Sequence, residues 1–381
     1  MRKAYTLYLL MALLAAVVMA CVRKPKPTTT PWGTEVADVD DNTSERVTDH
    51  GSSDGITSLQ QIMSNGEMIV LTISGPDTYY DYHGRGMGVQ YLMCELFARR
   101  MGVTLRVEQC KDTTEMISKL NKGYGDIIAV QLEKRKYGDK KLRFCGAYEK
   151  KNGSNGIATQ WAVNEKNKEL ASELDKWFKP TFPKLTLDYE DRLLAMAVTH
   201  SANWQPSGKA FAASRAEYDL LFQRYAPLAG LPWQLISAQC AQESGYDAGA
   251  RSWAGACGLM QLMPSTAARF GLSREEIFNP EKNIEVACRL MGSLMREFSD
   301  VPHPEERISF ALAAYNAGSG HVRDAMALAG KYGGNPHLWS SVEEYILRLG
   351  EPQYYQDEVV RHGFMRGRET YGYVRAIRRR Y

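Results

Sequence analysis

Hydrophobic and polar positions fall into three regimes along the chain. An apolar run over residues 4–20, broken only by Tyr and Thr, follows Met1-Arg2-Lys3. Residues 22–57 then hold Pro, Thr, Asp, Ser and Gly, with almost no large aliphatics. From about residue 58, short β-rich runs and helical stripes take turns. Met68-Ile69-Val70-Leu71-Thr72-Ile73 reads as a strand, and residues 88–103 place Tyr91, Leu92, Leu96, Phe97 and Met101 at helical spacing. Leu105-Arg106-Val107 predicts a second strand, residues 113–120 a helix, and Asp126-Ile127-Ile128-Ala129-Val130 a third strand. Such alternation predicts an α/β unit with a parallel sheet. After a Pro-containing linker the pattern turns helical. Leu235, Ile236 and Gln239 share a stripe with Glu243, and Ile308 and Leu312 share one with Tyr315.

A charged start, an apolar stretch and a small residue at its end describe a secretory signal over residues 1–20. The alternative is an uncleaved anchor, since the run is near the ~17-residue lower limit for a span. In either case the remainder lies outside the cytoplasm. Cys21, directly after Ala20, makes the segment resemble a bacterial lipobox, which implies lipidation at Cys21 and a membrane anchor. Each buried CH₂ of an acyl chain contributes ~0.8 kcal/mol. Residues 21–57 read as a tether, too poor in apolar side chains to offset its ordering entropy. Its root-mean-square reach is roughly 30–35 Å. Val22 after Cys21, in place of Asp, leans the expected location toward the outer membrane, facing the periplasm.

The 381 residues exceed one ordinary domain and carry a net charge of +3, or +1 without Arg2 and Lys3. No global basic field exists, so a nucleic-acid partner is not expected. Beyond Cys21, three cysteines (Cys94, Cys110, Cys145) fall in the first folded region and three (Cys240, Cys257, Cys288) in the second. An odd number per region leaves either free thiols or a bridge between regions, with buried structural thiols slightly favoured. No cluster has metal-ligand spacing, so neither metal nor cofactor is expected.

Gly66-Glu67-Met68-Ile69-Val70, Phe97-Ala98-Arg99-Arg100-Met101-Gly102-Val103 and Lys122-Gly123-Tyr124-Gly125-Asp126-Ile127 occur in order. On these pieces the region resembles the first lobe of the solute-binding family 3 proteins, the periplasmic amino-acid-binding group. Trp161-Ala162-Val163-Asn164 and Leu174-Asp175-Lys176-Trp177-Phe178 resemble that family's closing strand and helix, with the second lobe missing between. The family's ligand-holding Thr-x-x-Arg reads here as Leu132-Glu133-Lys134-Arg135. Arg135 retains a bidentate donor, but the hydroxyl is gone. A clamp with one lobe cannot bury a ligand, which argues against an amino-acid or muropeptide ligand and for a packing or spacer role.

In the second region, Pro232 suits a first helical position and Gly245 a C-terminal cap, which leaves Glu243 at the negative end of its helix. Burial and nearby carbonyls raise such a carboxyl toward the range a general acid needs. Gly255-Ala256-Cys257-Gly258-Leu259-Met260-Gln261-Leu262-Met263-Pro264 follows, then Ala314-Tyr315-Asn316-Ala317-Gly318 and finally Gly367-Arg368-Glu369-Thr370-Tyr371-Gly372-Tyr373-Val374. Together with Glu243-Ser244, these four pieces resemble the catalytic domain of the soluble-type lytic transglycosylases, a mainly α, lysozyme-like fold. Asn279-Pro280-Glu281-Lys282-Asn283-Ile284 fits the segment between the second and third. Lipobox, solute-binding-like domain and catalytic domain together resemble the membrane-bound lytic murein transglycosylase F group.

The expected architecture is therefore multidomain. A single-lobe, periplasmic-binding-protein-like α/β domain spans 58–180, a linker 181–210, and a lysozyme-like domain 211–381. The resemblance implies cleavage of the β-1,4 bond between N-acetylmuramic acid and N-acetylglucosamine in peptidoglycan glycan strands, leaving 1,6-anhydro ends, in wall turnover or remodelling. Glu243 is the implied acid/base. Ser244 orients it, Gln261, Tyr315, Asn316 and Tyr373 hold the sugar, and Glu369 supports them. Two alternatives stay open: a hydrolytic muramidase, and a non-catalytic peptidoglycan-binding lipoprotein. The Arg-rich C-terminus reads as a solvated face.

Overall fold

The computed structural model describes residues 55–150, 158–201 and 209–381. The expected signal segment, Cys21 and the tether through Asp54 lie outside the described residues.

The α/β domain is built on five strands in the order β4-β1-β5-β7-β6. They are β1 (Glu67–Thr72), β4 (Thr104–Gln109), β5 (Ile127–Glu133), β6 (Leu142–Lys150) and β7 (Ala158–Asn164). β1 pairs in parallel with β4 and β5, as the alternation predicts. β7 and β6 extend the sheet antiparallel, so the sheet is mixed and not purely parallel. Helix α1 (Leu59–Asn65) starts on a capping box made by Ser58 and Gln61. α2 (Val89–Met101) and α5 (Lys168–Trp177) share its side of the sheet, while α3 (Thr113–Asn121), capped by Asp112, lies on the other.

Successive strand residues point to opposite faces, and here both faces are covered. Met68 and Val70 therefore enter one core with Phe97, Trp161 and Trp177. Leu71 enters the other with Met116, Leu120 and Ile128. That is why these strands read as continuous apolar runs. The Asp126 carboxylate accepts the Ile69 amide at 2.7 Å and stitches β5 to β1. Arg135, in the short helix α4 (Lys134–Tyr137), is exposed.

Between β1 and α2 the chain makes a small antiparallel hairpin, β2 (Tyr80–Tyr82) and β3 (Arg85–Met87). Its two loop residues, His83 (φ 53°) and Gly84 (φ 72°), both have positive φ, the signature of a type I′ turn.

The stretch expected as a linker contains a 20-residue helix, α6 (Phe182–Ser201). Pro183 sits in its first turn, where a missing amide hydrogen costs nothing. Buried Glu190 on α6 accepts the Tyr80 hydroxyl at 2.8 Å and the Gly88 amide at 3.1 Å, fixing the hairpin's base.

The second domain is helical and has one core. Its elements are α7 (Lys209–Ala229), α8 (Trp233–Glu243), α9 (Pro264–Arg269), α10 (Pro280–Glu297), α11 (Pro304–Ala317), α12 (Ser319–Lys331), α13 (Trp339–Arg348), α14 (Pro352–Tyr355) and α15 (Gly367–Arg380). The six cysteines of the two domains are buried thiols. Among the described residues no helix is long and apolar enough to cross a membrane.

Candidate active site

Glu243 is the last residue of α8, with Ser244 as C-cap and Gly245 in the left-handed region beyond it. The helix start is buried through Leu235 and Ile236, which pins the terminus against the domain core. Ser244 donates to the Cys240 carbonyl at 3.5 Å, closing the last turn and not touching the Glu243 carboxylate. Glu243 lines a cleft of about 1550 Å³. That exceeds the roughly 300–1,000 Å³ of a small-molecule pocket and suits an extended ligand.

Tyr373 on α15 donates to Glu243 Oε1 at 2.5 Å. The Tyr373 oxygen in turn accepts from fully buried Gln239, one turn before Glu243 on α8, at 3.1 Å. Burial pushes the Glu243 carboxyl up to about 7, helped by the nearby Glu369 charge and opposed by the Tyr373 bond and the His83 charge. Such a carboxyl both gives and takes a proton near neutrality. Burial beside Glu243 also drives the Tyr315 and Tyr373 hydroxyls well above the usual phenol range, so both stay donors.

The loop after α8 forms the opposite wall. Gly258 (φ 77°) faces Asn283 and the Ile277 carbonyl so closely that a Cβ would lie 2.5 Å from Asn283 Nδ2. Fully buried Asn283 accepts the Met260 amide at 2.8 Å and donates to the Ile277 carbonyl at 2.7 Å and the Cys257 carbonyl at 3.2 Å. Gln261, itself left-handed (φ 47°), donates to the Gly258 carbonyl at 2.9 Å and lines the cleft. Tyr315, at the end of α11, donates to the Met260 carbonyl at 2.7 Å. Asn316 accepts from Thr370 at 2.7 Å, which orients its amide group. Asp247 lines the cleft too, but its carboxylate turns back to the Gly249 amide at 2.8 Å.

Glu369 sits in the first turn of α15, and both its oxygens are engaged. Oε1 meets His83 Nε2 at 2.8 Å and Oε2 accepts the Tyr82 hydroxyl. Burial alone would raise this carboxyl. The His83 bond and charge, the Tyr82 hydroxyl and Arg366 outweigh it and hold Glu369 below the usual value. Of these two carboxyls, Glu243 is poised near neutrality and Glu369 is held below its usual value.

All seven implied site residues of the helical domain line this cleft: Glu243, Ser244, Gln261, Tyr315, Asn316, Glu369 and Tyr373. Sequence reasoning missed Gln239's bond to Tyr373 and the whole contribution of the hairpin. Tyr82 stacks on Trp253 (centroids 5.6 Å apart) and Arg85 lies over the same indole. A His-Gly pair between Tyr80-Asp81-Tyr82 and Arg85-Gly86-Met87 was the available signal, since a two-residue turn of this kind marks a hairpin. Of the C-terminal arginines, Arg368 and Arg380 line the cleft and Arg378 pairs with Glu305 at 3.2 Å.

Residues 221–338 match the family model described as the transglycosylase SLT domain. The match ends before α13, so Glu369 and Tyr373 lie C-terminal to it while sharing the cleft with Glu243. A protein of Desulfosudis oleivorans named membrane-bound lytic murein transglycosylase F is 30% identical over 70% of this chain and 58% of its own length. One of the same name from Saccharophagus degradans is 24% identical over 84% of this chain and 82% of its own. The chain thus spans little more than half the length of the first of these relatives. Among solved structures, arginine-bound domain 1 of TmArgBP is 22% identical, covering 30% of this chain and 94% of that one, with a TM-score of 0.28. An inactive mutant of lytic transglycosylase Slt from Pseudomonas aeruginosa is 22% identical, covering 52% of this chain and 36% of that one, with a TM-score of 0.27.

Proposed function

We propose that the chain is a peptidoglycan lytic transglycosylase that cleaves the β-1,4 bond between N-acetylmuramic acid and N-acetylglucosamine and leaves 1,6-anhydro ends. The observation that carries this reading is Glu243, raised to about 7 in the SLT domain's cleft, with both oxygens of the Glu369 carboxylate already occupied and Asp247 and Asp81 turned back to the Gly249 and Gly84 amides. A muramidase of the two-carboxylate kind needs a second carboxylate free to act on water or on the sugar. Glu369 offers neither oxygen.

One residue then serves both half-reactions. Protonated Glu243 gives its proton to the glycosidic oxygen as the bond to the muramoyl C1 breaks. The muramoyl N-acetyl oxygen covers C1, as in substrate-assisted glycosidases. The Glu243 carboxylate next takes the proton of the muramoyl 6-hydroxyl, whose oxygen closes on C1 and releases the N-acetyl oxygen. No water is consumed, and Glu243 ends protonated as it began. Tyr373 holds the carboxylate and Gln239 holds Tyr373. Tyr315, Asn316 and Gln261 form the adjoining wall and offer donors to sugar hydroxyl and N-acetyl groups.

The cellular setting belongs to the same proposal: a cell-envelope protein anchored through lipidated Cys21, its domains facing the periplasm. The relatives named as membrane-bound support it. Mass spectrometry of murein sacculi digested with the purified chain tests the reaction. Soluble fragments one water lighter than muramidase products, lost in Glu243→Gln, are expected. Fragments carrying that water would move the assignment to hydrolysis. No fragments from either protein would leave the peptidoglycan-binding alternative.

A further inference from the structure

The hairpin of the α/β domain reaches into the SLT domain's cleft. Asp81, His83 and Gly84 line it together with Glu243 and Glu369. We propose that His83, carried there on the turn between β2 and β3, is a positioning residue that holds the Glu369 carboxylate within electrostatic reach of Glu243. The α/β domain then completes the active site, and the helical domain alone lacks one of its charges. This rests on the lyase reading for its consequence in turnover, though not for the pairing itself.

Four observations build the case. First, the turn delivers one side chain. Tyr82 and Arg85 pair across it, so His83 and Gly84 form the whole loop. Second, the hairpin is held at both ends. Glu190 grips Tyr80 and Gly88 at its base, and Tyr82 stacks on Trp253 of the SLT domain near its tip. A Cβ at Gly88 would lie 2.7 Å from the Thr78 carbonyl, so the entry into α2 tolerates no side chain. Third, His83 Nε2 meets Glu369 Oε1 at 2.8 Å while Tyr82 takes the other oxygen, which leaves the carboxylate no freedom to turn. Fourth, His83 faces acids from three elements: Asp81 on its own hairpin, Glu369 on α15 and Glu243 on α8. Arg366, at the start of α15, is the cation acting on Glu369 and Tyr82 from the other side. Burial works against a charged imidazole here. The Glu369 bond and the three negative charges outweigh it and keep His83 above the ordinary histidine value.

The sign of the effect on Glu243 follows. The His83 charge lowers the Glu243 value and the Glu369 charge raises it. Without His83, Glu369 keeps Tyr82 and Arg366 and stays ionised, so Glu243 moves up. His83→Asn makes an Asn-Gly turn, the pair that a type I′ hairpin favours, so the fold is retained while the imidazole is lost.

Two readouts decide the matter in the full chain. NMR titration of the histidine Hε1 resonances, with His83 assigned by its absence in His83→Asn, needs no turnover. A His83 midpoint above 6.5 that falls in Glu369→Gln is expected. In the lyase assay, His83→Asn is expected to lower kcat with little change in KM and to move the alkaline limb of kcat/KM upward. A purely structural role would lower activity and leave that limb in place. A His83 midpoint at or below 6.5, unmoved by Glu369→Gln, overturns the pairing. A His83→Asn limb superimposed on the wild-type one overturns the coupling to Glu243. If the wild-type chain makes no anhydro product, the lyase reading fails, and the titration still decides whether His83 holds Glu369.

Discussion

Placed at the C-terminal end of α8, the Glu243 carboxyl faces the helix's carbonyl end, and burial removes the water that would stabilise its charge. Two outcomes follow at this scale. Tyr373→Phe removes a hydrogen bond that lowers the Glu243 value, so the limb where activity falls with rising pH should move above about 7. A pH profile of kcat/KM checks this. Glu243→Gln should cost about 10²–10⁴-fold in kcat. The same variant has a stability signature. The folded-state value of about 7 lies above the ordinary 4.5. The stability that the protonated form contributes is therefore fully present below about 4.5 and lost as pH rises through 7. Glu243→Gln should match wild type in acid and exceed it above neutrality by about 3 kcal/mol, measured by urea unfolding at both pH values.

At the scale of elements, the loop carrying Gln261 depends on one side chain. Asn283→Ala removes the partner of the Met260 amide and of the Ile277 carbonyl in a buried setting, while the Cys257 carbonyl keeps the Leu262 amide. We expect a loss of about 3 kcal/mol, read by urea unfolding, together with lost activity because Gln261 and the Met260 carbonyl that anchors Tyr315 shift. Gly372→Ala on α15 is the contrasting case. Nothing lies within 4 Å of the added methyl group, and helix propensity should raise stability by about 0.5–1 kcal/mol. The element pattern was largely legible because β1 and β5 are mostly buried apolar runs and α2 and α3 bury residues at helical spacing. Where it failed, the reason is local. The strands of the hairpin have three residues each, too few for a period to register. Pro180 and Pro183 read as a linker although Pro183 opens α6, because proline punctuates a helix start as readily as a loop. In the site, Glu243 and its four motifs were visible as chemistry-bearing types at telling positions. His83 was not, since it lies 160 residues before Glu243 and nothing local announces a contact with α15.

At the scale of the whole molecule, the two domains meet through more than His83. The Ser74 hydroxyl accepts the Phe364 amide at 2.8 Å, and Phe364 packs edge-on against Tyr80 at 5.0 Å. Gly363 (φ 78°) sits so close to Ser74 that a Cβ would lie 2.2 Å from its hydroxyl. Gly363→Ala should therefore lower the thermal midpoint and reduce activity together, since the same contacts seat the hairpin in the cleft. The α/β domain, expected from its missing lobe to have a packing or spacer role, contributes Asp81, His83 and Gly84 to the lining of the cleft.

The central claim is that Glu243 alone serves as acid and then base, with a sugar hydroxyl in place of water. The most direct measurement is digestion of sacculi in heavy-oxygen water, followed by mass spectrometry of the new muramoyl ends. The account predicts anhydro ends that carry no heavy oxygen. Reducing ends that each carry one heavy oxygen would contradict it, because they would show that water, and not the 6-hydroxyl, had attacked C1.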